Sequence, residues 1–94
     1  MESTSETEKA DVTIQNRLGL HARPAMSFVD TANGFNSQIT VKKGPQAVDG
    51  KSIMQMMMLA AEKGTQLEIE AHGPDAAAAI TALRALIDRK FDEE

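Results

Sequence analysis

The chain has 94 residues, a net charge of −4 and no cysteine. These values indicate one small domain and exclude disulfide and thiol chemistry. The acidic balance, with no Trp or Tyr and only three Phe, argues against a nucleic-acid-binding protein. No apolar run approaches the ~18 residues of a membrane span, and the polar, acidic start is unlike a secretory signal. We therefore expect a soluble, cytoplasmic protein that does not insert into membranes.

The first segment, residues 1–10, is rich in Glu, Ser and Thr and lacks apolar periodicity. This composition predicts a disordered acidic tail, followed by a single domain at residues 11–94. Within that domain, alternating apolar and polar residues predict four strands, near residues 12–15, 38–42, 46–49 and 67–72. Apolar residues at helical spacing predict three helices, at residues 22–33, at residues 52–64, and from Gly73-Pro74-Asp75 onward.

The element order βαββαβα limits how these pieces can pack. Strands with one apolar face each need a single covering layer, and alternating strands are typical of an antiparallel sheet with one wet face. We therefore predict an α+β, two-layer open-faced sandwich, in which three helices cover one face of a four-stranded, mainly antiparallel sheet. The predicted buried stripe of the last helix consists of Ala76, Ala79, Ile80, Leu83, Ile87 and Phe91.

The most informative stretch runs from Asn16 to Ala25, where a glycine loop leaves a strand and enters a helix. His21 lies at the helix start, Arg23 follows two residues later, and Pro24 fits the first turn. The backbone N–H groups of Ala22 and Arg23 have no intrahelical partner, and a helix N-terminus favours anions. A neutral imidazole is a nucleophile, and a guanidinium matches phosphate oxygens. This combination predicts a site that accepts and releases a phosphoryl group.

A second stretch begins at Ser52, which has capping-box spacing with Gln55. Ser52 is explained by this helix-capping role alone, but it could also accept a phosphate, which a helix N-terminus tolerates. The following methionines cannot all face the core. We predict that Met56 and Leu59 are buried, whereas Ile53, Met54 and Met57 form an exposed docking surface. The two histidines, without acidic residues at ligand spacing, predict no metal site, and no cofactor motif is present.

Two motifs, Gly19-Leu20-His21-Ala22-Arg23-Pro24-Ala25 and Lys51-Ser52-Ile53-Met54, resemble the HPr family of phosphocarriers. The resemblance extends over essentially the whole of residues 11–94. It implies that His21 takes a phosphoryl group on Nδ1 from phospho-enzyme I and passes it to an enzyme II A domain for sugar uptake. The protein would then be a stoichiometric carrier, not an enzyme, and a monomer with transient partners.

The resemblance also assigns roles to the other candidate residues. Arg23 would assist transfer, Ser52 would be modified by an HPr kinase/phosphorylase, and Leu20, Ile53, Met54 and Met57 would dock partners. Gly50, where relatives often carry a larger residue, leaves the regulation at Ser52 open. Three alternatives remain at this point: a regulatory protein acting mainly through Ser52, a carrier of the nitrogen-related phosphotransferase branch, and an α+β binding domain with an incidental histidine.

Overall fold

The computed structural model describes residues 6–93, which form four strands, three α-helices and a final 3₁₀ turn. The strands are β1 (Glu6–Thr13), β2 (Gln38–Lys43), β3 (Gln46–Asp49) and β4 (Gln66–Gly73). The helices are α1 (Ala22–Ala32), α2 (Ile53–Met58) and α3 (Ala76–Asp88), and the 3₁₀ turn is Lys90–Asp92. None of the helices in this part of the chain is long and apolar enough to cross a membrane.

The four strands form one antiparallel sheet in the order β1-β4-β2-β3. Residues directly opposite each other on neighbouring strands lie on the same face of a sheet. Ile69 lies opposite both Ala10 and Val41, and Val41 also lies opposite Val48. All four are buried, so a continuous apolar face runs across the sheet. The polar residues between them point to the other face.

The helices cover this apolar face. Helix α3 packs against β1 and β4, and α1 packs against both α2 and α3. This arrangement confirms the predicted two-layer α+β fold. The prediction rested on the apolar alternation in each strand, which requires a single covering layer. The predicted buried stripe of the last helix is also confirmed, since all six of its residues are buried: Ala76, Ala79, Ile80, Leu83, Ile87 and Phe91.

The first strand is longer than the apolar pattern predicts. Its pairing with β4 runs from Glu6 opposite Gly73 to Thr13 opposite Gln66. The predicted disordered tail is therefore wrong for residues 6–10, while residues 1–5 lie outside the described part of the chain. The side chains of residues 6–9 are exposed and polar, so the sequence shows no apolar alternation that would predict a strand here. Backbone hydrogen bonds to β4 hold this edge segment in place.

Helix α2 ends at Met58, although the sequence predicts an end near Lys63-Gly64. The N–H groups of Leu59 and Ala60 donate to carbonyls three residues back, at 3.2 Å each, which tightens the last turn. Ala60 then takes a left-handed φ of 51°. The prediction failed because this ending uses an alanine, while the Lys-Gly pair that it relied on lies in the following loop.

The shortened helix brings the backbone of Ala61 against the loop before α1. The Leu20 N–H donates to the Ala61 carbonyl at 2.8 Å. Gly19 has a φ of +72°, and a Cβ at this position would lie 2.4 Å from the Ala61 oxygen. Glycine is therefore required at this position for two reasons, the left-handed backbone conformation and the close approach of the Ala61 backbone.

The last helix begins after Asp75, within the predicted Gly73-Pro74-Asp75 start, but the Asp75 side chain does not cap its own helix. Its carboxylate accepts hydrogen bonds from the N–H of Asn36 at 2.8 Å and from the N–H and hydroxyl of Ser37 at 2.9 and 2.6 Å. The Ser37 hydroxyl is the main cause that lowers the pKa of Asp75 below its ordinary value. The carboxylate thus joins the start of β2 to the start of α3.

We predict that Gly19→Ala lowers the free energy of unfolding by about 2–5 kcal/mol, because a left-handed alanine costs ~1–2 kcal/mol and the overlap with Ala61 costs ~1–3 kcal/mol. Gly44→Ala is the matched control, since Gly44 also has a positive φ but no atom lies within 4 Å of the point that an added Cβ would occupy. Urea denaturation measures both. Equal losses in the two variants would mean that the Ala61 contact is not tight.

We further predict that Asp75→Asn lowers the urea midpoint at pH 7. Because the folded pKa of Asp75 is lowered, its stabilisation is fully present above the unfolded pKa and is lost as the pH falls through the folded pKa. The difference between wild type and variant should therefore shrink in acid. Asp30→Asn, which changes an exposed aspartate on α1, serves as the control. A difference that is independent of pH would contradict the assignment.

Candidate functional site

His21 is the N-cap residue of α1, with an extended backbone and no capping hydrogen bond from its side chain. Its carbonyl accepts the Ala25 N–H at 3.0 Å, which opens the helical hydrogen-bond pattern. The imidazole is therefore not used to cap the helix, and 38% of the side chain is exposed. The structure thus places His21 at the exposed helix start that the sequence predicts.

The first turn of α1 adds unpaired hydrogen-bond donors directly after His21 in the chain. The N–H groups of Ala22 and Arg23 have no acceptor among residues 6–93, as the predicted helix start requires. Arg23 is exposed, and no side-chain hydrogen bond or ion pair occupies its guanidinium within the same residues. Orphan N–H groups, a helix dipole and a guanidinium together favour an anion beside the imidazole.

Asn16 fixes the loop that leads to His21. Its side-chain N–H₂ group donates to the Gly19 carbonyl at 2.7 Å, and its backbone carbonyl accepts the Gly19 N–H at 3.1 Å. Asn16 is fully buried, and its Oδ1 has no hydrogen-bond partner. The turn is therefore closed from both sides, and together with the Leu20–Ala61 hydrogen bond it sets the direction in which the chain enters α1.

Glu93 contributes a carboxylate to the site that the sequence analysis missed. Its Oε1 lies 3.0 Å from His21 Nε2 and accepts the Asn16 amide at 2.9 Å. Glu93 is 72 residues from His21 in the sequence, and no local motif marks it. A small cavity of about 210 Å³, lined by Arg17, Leu18, His21 and Glu93, lies at this contact.

The surroundings keep Glu93 ionised. The hydrogen bond from His21 is the largest cause that lowers the pKa of Glu93 below its ordinary value, and burial opposes it. The Asn16 amide and the charges of His21 and Arg23 lower the pKa further. At neutral pH the group is a carboxylate, which can only accept hydrogen bonds.

Ser52 is the N-cap residue of α2, as predicted, and its hydroxyl accepts the Gln55 N–H at 3.2 Å. The predicted reciprocal bond of the capping box is absent. The Gln55 side chain instead accepts the N–H of Asp49 at 2.9 Å, while the Ser52 N–H donates to the Asp49 carbonyl. Because the Asp49 carbonyl already accepts the Ser52 N–H, the Gln55 side chain is free to bind the N–H of Asp49 instead.

The candidate docking residues divide into two groups. Met54 and Met57 are 75% and 45% exposed, and Met56 and Leu59 are buried, as predicted. Ile53, predicted to be exposed, is instead half-buried and packs against the core. Leu20, however, is only 5% exposed, which contradicts its predicted place on a docking surface.

The prediction for Leu20 is wrong because its N–H is bound to the carbonyl of Ala61, a residue distant in sequence, which draws this position inward. Leu18 is the exposed leucine of the same loop, at 66%. Among residues 6–93 no group of three or more His, Asp or Glu side chains is placed to hold a metal ion.

Comparison with known proteins gives one consistent result. A family model described as the PTS HPr component phosphorylation site matches residues 8–89. The phosphocarrier protein HPr of Neisseria meningitidis is 49% identical over 85 residues, which cover 90% of this chain and 96% of the relative. The phosphocarrier protein NPr of Escherichia coli is 39% identical over 90 residues, covering 94% and 99%.

The fold comparison agrees with the sequence comparison. The crystal structure of HPr-C-His from Thermoanaerobacter tengcongensis matches with a TM-score of 0.90 and 46% identity, covering 93% of this chain and 98% of that chain. The resemblance that the two motifs indicate is therefore confirmed over most of the chain. This protein belongs to the HPr family of phosphocarriers of the phosphotransferase system.

Proposed function

We propose that this protein accepts a phosphoryl group on His21 from phospho-enzyme I and transfers it to the A domain of an enzyme II during sugar uptake. The observation that carries the proposal is the position of His21, which lies partly exposed at the N-cap of α1 and whose side chain does not cap the helix. Membership of the HPr family supplies the class of donor and acceptor.

The chemistry needs a nucleophilic nitrogen and a place for phosphate charge. The lone pair of Nδ1 attacks phosphorus, an N–P bond forms, and the bond from phosphorus to the donor breaks with its electron pair returning to the donor. The N–H groups of Ala22 and Arg23 and the Arg23 guanidinium would bind the transferred oxygens. The same step in reverse delivers the group to the acceptor, so the protein acts as a stoichiometric carrier.

The partners would dock on exposed apolar side chains of α2. Met54, Met57 and Met58 are spaced at i, i+3 and i+4 and are all exposed, so they share one face of the helix. Methionine adapts to differently shaped partners, which suits a carrier that must bind a donor and an acceptor in turn. Small, transient interfaces and a monomeric carrier are consistent with such exchange.

The nitrogen-related branch of the phosphotransferase system is the second candidate. The observation that favours it is the presence of proteins named NPr among the relatives. The chemistry at His21 would be the same, and only the partner proteins would differ. The relative rates of phosphorylation by the enzyme I of each branch distinguish the two.

We predict that incubation with phosphoenolpyruvate, Mg²⁺ and enzyme I adds one acid-labile phosphoryl group to the wild type and none to His21→Ala. Intact mass before and after brief acid treatment measures this. His72→Ala is the matched control, because His72 is the other histidine of the chain and lies on β4, where it contacts Thr7. Phosphorylation that persists in His21→Ala would overturn the proposal.

Regulation at Ser52 is a separate part of the proposal. The hydroxyl is partly exposed at the start of α2, where an added phosphate is compatible with the helix N-terminus. The added charge would change which partners can dock on the neighbouring methionines. A protein acting mainly through this modification would be regulatory, with transport secondary.

We predict that HPr kinase and ATP add an acid-stable phosphate to the wild type but not to Ser52→Ala. Because Ser52 caps α2, Ser52→Ala should also lose about 1 kcal/mol of unfolding free energy, so its folding is checked by thermal melting. Ser27→Ala, which changes a half-buried serine of α1, is the control. No modification of the wild type, while a known substrate reacts, would remove this regulatory role.

A further inference from the structure

We propose that Glu93 is a positioning residue that holds His21 with a proton on Nε2 and thereby leaves Nδ1 as the nitrogen that accepts the phosphoryl group. This inference rests on the proposed function and adds to it a residue from the far end of the chain.

The first step is the direction of the hydrogen bond between His21 and Glu93. Glu93 Oε1 and His21 Nε2 are 3.0 Å apart, and an ionised carboxylate has no proton to donate. Nε2 must therefore carry the proton. In a neutral imidazole only one nitrogen is protonated, so Nδ1 keeps the lone pair that attacks phosphorus.

The second step is that the carboxylate is held from its buried side. The same Oε1 accepts the Asn16 amide at 2.9 Å, and that amide also donates to the Gly19 carbonyl at 2.7 Å. Both partners of the amide are acceptors, so its orientation is fixed. Its Oδ1 is left buried without a partner, which costs about 1–3 kcal/mol in typical proteins. The fold therefore keeps this unfavourable arrangement while directing both amide protons to the site.

The third step is the strained backbone that carries Glu93 to the site. Lys90, Phe91 and Asp92 all have positive φ, at 58°, 56° and 61°, a conformation that non-glycine residues adopt as single exceptions. Phe91 is buried at 6% exposed and anchors this turn to the core. Strain of this kind persists where the surroundings enforce it, often at functional sites.

The arrangement also fits the product of the transfer. When Nδ1 gains the phosphoryl group, the ring retains its Nε2 proton and becomes positively charged. The Glu93 carboxylate can then stabilise the charged ring through the same hydrogen bond. A positioning carboxylate at Nε2 is compatible with an anion site at Nδ1, because the two nitrogens lie on different edges of the ring.

The test compares Glu93→Ala, Glu93→Gln and Asp92→Asn with the wild type. Asp92 is the adjacent carboxylate and contacts Arg89, not His21, so it is the matched charge control. Glu93→Gln keeps an acceptor oxygen and serves as the conservative rescue. Long-range ¹H–¹⁵N spectra of the neutral ring report which nitrogen of His21 is protonated. Phosphorylation with phosphoramidate, a small donor that releases ammonia, then reports which nitrogen reacts without any need for enzyme I.

The wild type, Asp92→Asn and Glu93→Gln should show the proton on Nε2 and the phosphoryl group on Nδ1. In Glu93→Ala we expect the ratio of Nδ1- to Nε2-phosphohistidine to fall roughly three- to tenfold, as loss of a charge-assisted hydrogen bond implies. The same proton distribution and product ratio in Glu93→Ala as in the wild type would overturn the proposal. Because neither readout uses enzyme I, a failure of the phosphotransferase assignment would be seen separately.

Discussion

The contact between Gly19-Leu20 and Ala61 is the constraint on which the site depends. It joins the loop before α1 to the chain that follows α2, through a hydrogen bond of 2.8 Å and a backbone approach that admits no side chain on Gly19. Helix α2 must end early for Ala61 to reach this position. The start of α1, and with it His21, is thus set by two segments distant in sequence.

From this contact the site extends inward and outward. On the buried side, the amide of Asn16 closes the turn and donates a hydrogen bond to the Glu93 carboxylate, which follows the last helix. Outward, His21 stands at the helix start beside N–H groups that have no acceptor in the described chain. The side chains of His21 and Arg23 are partly and fully exposed, whereas Asn16, which closes the turn before them, is buried and holds the loop in place.

Much of this architecture could be predicted from the sequence, because the signals are local. Alternation in the strands, the stripe of α3, the histidine at the start of α1 and the Ser52 cap each depend on residues within one or two turns. The exposed methionines followed from the same reasoning, since a short helix buries only one side.

The errors arose where distant partners decide the outcome. Residues 6–10 are ordered by pairing with β4, and Leu20 is buried by its bond to Ala61. Helix α2 ends at Met58, shortly before the left-handed Ala60, and not at the Lys63-Gly64 pair. Glu93 is 72 residues from His21 in the sequence, so no local spacing could indicate their contact.

The role of His21 is tested most directly by the ³¹P spectrum of ¹⁵N-labelled protein after reaction with phosphoenolpyruvate and enzyme I. Coupling between phosphorus and a labelled ring nitrogen identifies the acceptor atom itself. We expect one phosphoramidate resonance, coupled to Nδ1 of His21. Coupling to Nε2, or a resonance of a phosphate ester instead, would contradict it.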